Sequence, residues 1–204
     1  MLYYLEQRNS LDPGLFDRLS FFLPQERLER IQSYRTQEGK NSAILAYLLL
    51  RYGLFREFGI TELPYIHADR MGKPFWPQRS EICFNLSHCK GAVACGISKA
   101  SMGVDVQHFV PYHAGIAKRY SIKAATSEEF TLQWTRVESY GKYTGQGIRG
   151  LTGSIPQLTK EGKKLYCRSF PVSVGFLSYT GEEEFMPIEV TLEELVDFLS
   201  LLPS

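Results

Sequence analysis

The 204-residue chain lacks most of what marks a membrane, secreted or zinc-knuckle protein. No run of about 18 apolar residues occurs, so no membrane-spanning helix is expected. The N-terminus, MLYYLEQRNS, has no basic stretch followed by an apolar one, so no secretory signal reads there and a cytoplasmic protein is expected. Cysteine is scarce: Cys83, Cys89, Cys95 and Cys167 are the only four. A disulfide framework belongs to shorter, secreted, Cys-dense chains, and the gaps between these four do not match the Cys-x-x-Cys knuckles of zinc sites. Free thiols are expected, with Cys83 and Cys95 packed as small apolar residues in strands. An excess of one charge is missing too. The 23 basic and 22 acidic residues leave a net charge of +1, with no long basic stripe of the kind that binds nucleic acid.

What is present is ordinary for a soluble globular chain, 44% hydrophobic and 22% charged, enough for one core or for two subdomains of about 100 residues. Pro13 and Pro24 sit at expected helix starts, the second followed by the basic stretch PQERLERIQSYR. Ile44, Leu45, Leu48, Leu49, Tyr52 and Phe55 recur at helical spacing within a core helix from about Gln37 to Phe58, ended by Gly59. HADRMGKP reads as a turn, and ICFNL, AVACGI and MGVDV read as three adjacent strands. Thr126 and Glu129 fit a capping box before a helix packed through Phe130, Trp134, Val137 and Gly141 and ending near Gly145. Strands follow between about Lys160 and Glu189. Thr191 and Glu194 then start a last amphipathic helix carrying Leu192, Leu195, Val196 and Leu199. This order is α+β, in two halves, 1–100 and 101–204.

Three segments carry polar residues with chemical potential: FNLSH at 84–88, GVDVQ at 103–107, and WTRVESYGKYTGQG at 134–147. Taken alone, Ser87 and His88 read as a turn, and Glu138 with Lys142 as a surface i,i+4 ion pair worth a few tenths of a kcal/mol. Asp105 is different. On an alternating strand it shares a face with Gln107, and if that face is buried an isolated carboxylate costs several kcal/mol unless paired or metal-bound. Two carboxylates from separate segments, with a lysine nearby, are what a Mg²⁺–phosphate site requires.

The three segments together resemble the 4′-phosphopantetheinyl transferase superfamily, of the surfactin-synthetase-activating type. Its members carry an Asn-hydrophobic-Ser-His strand end, a Gly-hydrophobic-Asp-hydrophobic-Glu strand and a helix with Lys-Glu-Ala-x-x-Lys-x-x-Gly-x-Gly. GKP at 72–74 and RYS at 119–121 resemble two further elements, so the likeness spans roughly Gln37 to Gly147 in order. The resemblance implies two similar α/β subdomains with the active site and coenzyme A between them. It implies Asp105, Glu138 and Gln107 toward Mg²⁺, Glu138 as base, and Lys142 on the pyrophosphate. His88 would meet a phosphate of coenzyme A, with Ser87, Lys73 and Pro74 by the adenine nucleotide. Lys40, Arg30 and Arg35 are candidates for the 3′-phosphate. The implied protein is a monomer acting on an apo acyl or peptidyl carrier protein, without nucleic acid or membrane.

The match departs from the family at particular positions. Gln107 stands where many relatives have a third acid, Val137 where a lysine usually precedes the glutamate, Ala124 where a glutamate often stands, and Ser139 where alanine is usual. Beyond Leu151 no family element reads. The competing expectation is a diverged relative that binds coenzyme A or a carrier protein without transfer.

Overall fold

The computed structural model describes residues 1–7, 10–151, 155–159 and 161–202. In chain order it runs β1 (Leu2–Glu6), α1 (Pro13–Ser20), α2 (Gln25–Gln32), α3 (Gln37–Phe58), β2 (His67–Ala68), β3 (Pro74–Phe75), β4 (Cys83–Cys89), β5 (Ala92–Ser98) and β6 (Met102–His108). It continues with α4 (Ala114–Arg119), α5 (Ser127–Thr144), β7 (Tyr166–Val172), β8 (Gly175–Gly181), β9 (Pro187–Glu189) and α6 (Leu192–Ser200). The mixed α/β composition agrees with the α+β expectation. No described helix is long and apolar enough to cross a membrane.

The aliphatic periodicity of residues 43–54 becomes the buried centre of α3, whose first turn is capped by the Thr36 hydroxyl and whose end is Gly59 in the left-handed region. Its buried Arg51 is neutralised in hydrogen-bonding terms, not by charge: the guanidinium donates to the carbonyls of Phe22 (3.0 Å) and Thr61 (2.8 Å). α3 lies on a four-stranded sheet ordered β4-β5-β1-β9. A second sheet, ordered β6-β8-β7, carries α5.

Strand pairing differs from the expectation at one junction. β4 and β5 pair antiparallel as expected, but β6 leaves them and pairs antiparallel with β8, so only two of the three strands are ladder neighbours. The sequence shows no local signal for this, because β8 lies some seventy residues on. The two sheets nevertheless meet. β4 and β6 are sheet edges, and side chains replace the missing ladder: Asn85 Oδ1 accepts from the Val104 N–H (2.8 Å) and Ser87 Oγ from the Val106 N–H (3.1 Å). Asn85 and Ser87 lie two residues apart on one face of β4, as do Val104 and Val106 on β6, so the two bonds are in register. Ser87 and His88 therefore lie inside a strand, not in a turn after it.

Two strands escape a sequence reading. β1 forms the centre of the first sheet, antiparallel to β5 and parallel to β9. β9 and α6 come from the second half of the chain, yet complete the first sheet and its core: Leu195, Phe198 and Leu199 pack with α3 residues. The Thr191–Glu194 capping box forms as expected. At α5 the Thr126 hydroxyl accepts from Glu129, but the Glu129 carboxylate takes the Ala125 N–H in place of that of Thr126.

α5 buries more than the expected apolar stripe. Phe130, Val137 and Gly141 are buried, and so are Thr131, Thr135 and Ser139, at i, i+4 and i+8. These small hydroxyls let the helix lie close to β6 and β8, each bonded within the turn to Ser127, Thr131 and Arg136 carbonyls respectively. The approach is closest at Gly103, where a Cβ would stand 2.0 Å from the Ser139 carbonyl oxygen and 2.3 Å from the Tyr143 nitrogen. That is the reason for the glycine two residues before Asp105.

Candidate active site

The contact of β4, β6 and α5 brings Ser87, Asp105 and Lys142 together. Ser87 Oγ donates to Asp105 Oδ1 (3.0 Å) and accepts from Lys142 Nζ (2.9 Å), besides the Val106 N–H already described. One donor and two lone pairs are all a hydroxyl has, so Ser87 is fully engaged in holding its neighbours. Lys142 Nζ also reaches Asp105 Oδ1 at 2.8 Å. The ion pair read from spacing, Glu138 with Lys142, is thus replaced by one between Lys142 and Asp105.

Asp105 is buried, its side chain 8% exposed, and its second oxygen Oδ2 is buried with no hydrogen-bond partner among the described residues. A carboxylate oxygen in that position is unusual, because buried polar atoms normally find a donor. Glu138, one helical turn before Lys142, makes no hydrogen bond among the described residues. Desolvation first, and then the Asp105 charge, push its carboxyl up to about 7, against a smaller opposing effect of Lys142. Gln107 lies two residues after Asp105 on the same strand face, half-buried.

This donor set fits a hard divalent cation. It offers the orphaned oxygen of Asp105, a carboxylate without a partner on Glu138, and an amide carbonyl on Gln107. Among the described residues no three His, Cys, Asp or Glu side chains cluster as a closed metal cage. Mg²⁺ does not need one, since it commonly takes one or two carboxylates and completes its shell with water and substrate phosphate.

Beside these residues opens a groove of ≈ 350 Å³ between α2, the β2–β3 hairpin and β4. Arg27, Arg30, Tyr34, His67, Pro74 and His88 line it. His88 sits 6.3 Å from the Tyr34 ring, and desolvation, then the charges of Lys142 and Arg27, hold its pKa below the usual histidine value. Arg27 is the residue that sequence reasoning passed over. Its Nε is buried with no hydrogen-bond partner among the described residues, its guanidinium lies over the Tyr47 ring, and desolvation and the neighbouring Arg30 both lower its pKa. The signal was available: Arg27 and Arg30 are three apart on α2 and so share a face. Two arginines and two histidines, with one acid, Glu26, line this groove, so it offers cationic donors that could receive an anion.

The other candidates are placed as follows. Pro74 lines the groove, while Lys73 points elsewhere: its Nζ donates to the Tyr143 carbonyl at 3.1 Å. Lys40 donates to Gln32 Oε1 (3.0 Å), and neither it nor Arg35 lines the groove. The RYS element is a brace. Tyr120 is buried and donates to the Ile148 carbonyl (3.0 Å), and Arg119 donates to that of Arg149 (3.2 Å), so both hold the turn that follows α5. The Gly145 and Gly147 of that turn have φ of 70° and 61°, which explains the Gly-x-Gly spacing. Ser139, at the usual alanine position, meets Thr180 Oγ1 at 2.8 Å across the α5–β8 contact. Along α5 a second groove of ≈ 680 Å³ runs past Arg136, Val137, Leu158, Lys164 and Arg168, with no acidic side chain among the described residues that line it.

No family model matches the chain. Four curated proteins are similar to it, each named a 4′-phosphopantetheinyl transferase. One from Bacillus subtilis is 22% identical over 159 residues, covering 72% of this chain and 71% of that protein. Sfp of Bacillus subtilis strain 168 is 24% identical over 144 residues, covering 65% and 64%. Gsp of Aneurinibacillus migulanus is 27% identical over 159 residues, covering 72% and 66%. The matched segments span about two thirds of the length of these relatives.

Proposed function

We propose that this chain, similar over about 70% of its length to proteins named 4′-phosphopantetheinyl transferase, is a member of that superfamily and transfers the phosphopantetheine arm of coenzyme A to a serine of an apo acyl or peptidyl carrier protein. The observation that carries the reading is the buried Asp105 Oδ2, without a hydrogen-bond partner among the described residues, on a carboxylate already held by Ser87 and Lys142. Such an oxygen, with Glu138 lacking a partner, supports a site for Mg²⁺ and phosphate and gives no support to a purely structural ion pair.

In this reading Asp105, Glu138 and Gln107 would hold Mg²⁺, which when bound supplies a Lewis acid toward the pyrophosphate. Arg27, Arg30 and His88 bind the phosphates of coenzyme A in their groove. Lys142, a point charge on a flexible stem, meets the pyrophosphate at the inner end. Glu138 takes the proton of the carrier serine. In the free protein desolvation pushes this carboxyl up to about 7. The serine oxygen forms a bond to the β-phosphorus of coenzyme A, the bridging P–O bond breaks, and 3′,5′-ADP leaves with the electron pair. The second groove, with Arg136 and Lys164 on its rim and Leu158 exposed, suits an acidic helical partner and lies along the helix that carries Glu138. The enzyme would act as a cytoplasmic monomer. Retention of Asp105, Glu138 and Lys142 together argues against a relative that only binds.

The test is incubation with coenzyme A, Mg²⁺ and several apo carrier proteins, followed by intact-mass measurement of each carrier. Gain of one phosphopantetheine arm on at least one carrier is expected, together with release of 3′,5′-ADP. Binding of coenzyme A with no mass gain on any carrier would sink the transfer reading.

A further inference from the structure

α3 and α5 both stop at a left-handed glycine, but they are closed in different ways. After α3 the Gly59 N–H returns to the Phe55 carbonyl (2.8 Å) and Ile60 to that of Leu54 (3.4 Å). After α5 the Gly145 N–H makes no such return bond among the described residues. A helix end leaves up to about four carbonyls without partners. In α5 the Tyr143 carbonyl is taken by two remote side chains, Lys73 Nζ at 3.1 Å and Ser101 Oγ at 3.2 Å, and Lys73 Nζ also donates to Ser101 Oγ at 3.0 Å. A cation at a helix C-terminus is favourable, most so where water is partly excluded.

Lys73 is itself held in place. The Asp69 carboxylate accepts from the N–H groups of Met71 and Lys73, both at 2.8 Å, and the Asp69 N–H donates to the Lys73 carbonyl (2.9 Å). Gly72, at φ 87°, turns the chain between them. The same hairpin supplies Gly72 and Pro74 to the wall of the Arg27 groove. Lys142 immediately precedes Tyr143, so the turn that Lys73 grips is the one that aims the Lys142 ammonium at Asp105 and Ser87.

We propose that Lys73 is a positioning residue: its ammonium closes the last turn of α5, fixes Lys142 against Asp105, and ties that helix to the hairpin bordering the anion groove. Its side chain acts on the helix, not on a nucleotide. The kinetic arm of the test rests on the transferase reading above; the exchange arm does not.

Amide hydrogen exchange on the ligand-free full chain compares the parent with Lys73→Met, Lys73→Arg and Ser101→Ala. In Lys73→Met, exchange at residues 141–145 is expected to quicken about tenfold or more, while the α3 amides stay unchanged. Lys73→Arg restores most of the protection, and Ser101→Ala, which removes only the second donor, gives a smaller increase over the same residues. In transfer assays Lys73→Met lowers kcat about 10- to 100-fold with KM for coenzyme A nearly unchanged, as misplacement of a reacting group does. Unchanged exchange at 141–145 in all three variants overturns the proposal. So does a rise in KM with kcat intact, which marks a nucleotide contact. A parent that modifies no carrier counts against the proposed function, and the exchange comparison then decides this proposal by itself. Should Lys73→Met not fold, the Lys73→Arg and Ser101→Ala exchange patterns decide it.

Discussion

The two long helices of this protein solve opposite problems. α3, of 22 residues, is enclosed along its middle and buries an unbroken series from Ala43 to Leu50. α5, of 18 residues, buries Thr131, Thr135 and Ser139 against its sheet and carries Glu138 and Lys142 beside them. Aliphatic packing contributes in proportion to area and tolerates sliding, since a leucine has no preferred partner atom. Hydroxyl packing contributes less, but each bond fixes a direction and a distance. The helix that must hold a carboxylate and an ammonium in place is therefore tied by hydrogen bonds, at Ser139–Thr180 and Tyr143–Lys73, and the other is held mainly by aliphatic packing, with hydrogen bonds from Arg51 and Tyr47.

The largest break in that comparison should come at Glu138. Glu138→Gln is expected to lower transfer about 100- to 10,000-fold, the usual range for loss of a general base, while leaving the fold and its cooperative unfolding intact. The corresponding truncation in the other helix, Leu48→Ala, should do the reverse. It should cost about 2–5 kcal/mol of stability by removing a fully buried side chain, with activity per folded molecule unchanged. Chemical denaturation paired with carrier-mass assays on the two variants separates the effects. Equal losses in both assays for both variants would mean that α3 and α5 are not divided in role.

A smaller effect sharpens the same contrast through pH. The Glu138 carboxyl, raised to about 7 in the free protein, keeps its proton across a range where the unfolded chain has released it. The native state thus binds more protons than the unfolded one between about pH 4.5 and 7, and stability falls as pH rises through that window. A drop on the order of 1 kcal/mol or less is expected, given partial exposure of the side chain. Denaturant midpoints measured across that window should show the fall in the parent and lose it in Glu138→Gln. A parent and variant with parallel stability profiles would remove the case for a shifted carboxyl.

How much of this was open to a sequence reading depends on the range of the interaction. α3 was legible from about Gln37 to Phe58, because its periodicity and the Gly59 stop are local, while the Thr36 cap was not read. The capping box at Thr191 was equally plain. β6 pairing with β8 was not, since nothing near Asp105 names a partner some seventy residues away. β1, at five residues, is too short for its alternation to stand out, yet it is the centre of a sheet. In the site, Asp105 was legible because a carboxylate in an apolar strand demands a reason. Arg27 shares a face of α2 with Arg30, which spacing shows, but its burial beside Tyr47 is set by packing that the basic run does not reveal. The bond from Lys73 to the end of α5 spans 70 residues, a separation no spacing rule reaches.

The smallest expected effect lies at Gln107, on the strand that α5 covers. Gln107 can offer a metal its amide oxygen but no charge, so the site presents about one negative charge fewer than a three-acid arrangement would. Lys142 subtracts further from the attraction, because in the free protein its ammonium already sits 2.8 Å from Asp105 Oδ1. The free protein should therefore hold Mg²⁺ weakly, and coenzyme A should strengthen that binding by adding phosphate oxygens and by drawing Lys142 toward its own charge. Linkage requires the metal to strengthen coenzyme A binding by the same factor. Gln107→Glu restores the missing charge. It should tighten Mg²⁺ binding to the free protein on the order of tenfold, because affinity for hard cations follows the charge count of the ligands. The same variant should weaken the coupling, since less of the shell's charge is left for coenzyme A to supply. Titration calorimetry with metal alone, coenzyme A alone and the two together measures all these quantities on both proteins. Identical metal affinity in parent and variant would remove Gln107 from the site and leave Asp105 and Glu138 as its whole protein contribution. Independent binding of metal and coenzyme A in the parent would break the link between the β6 carboxylate and the groove.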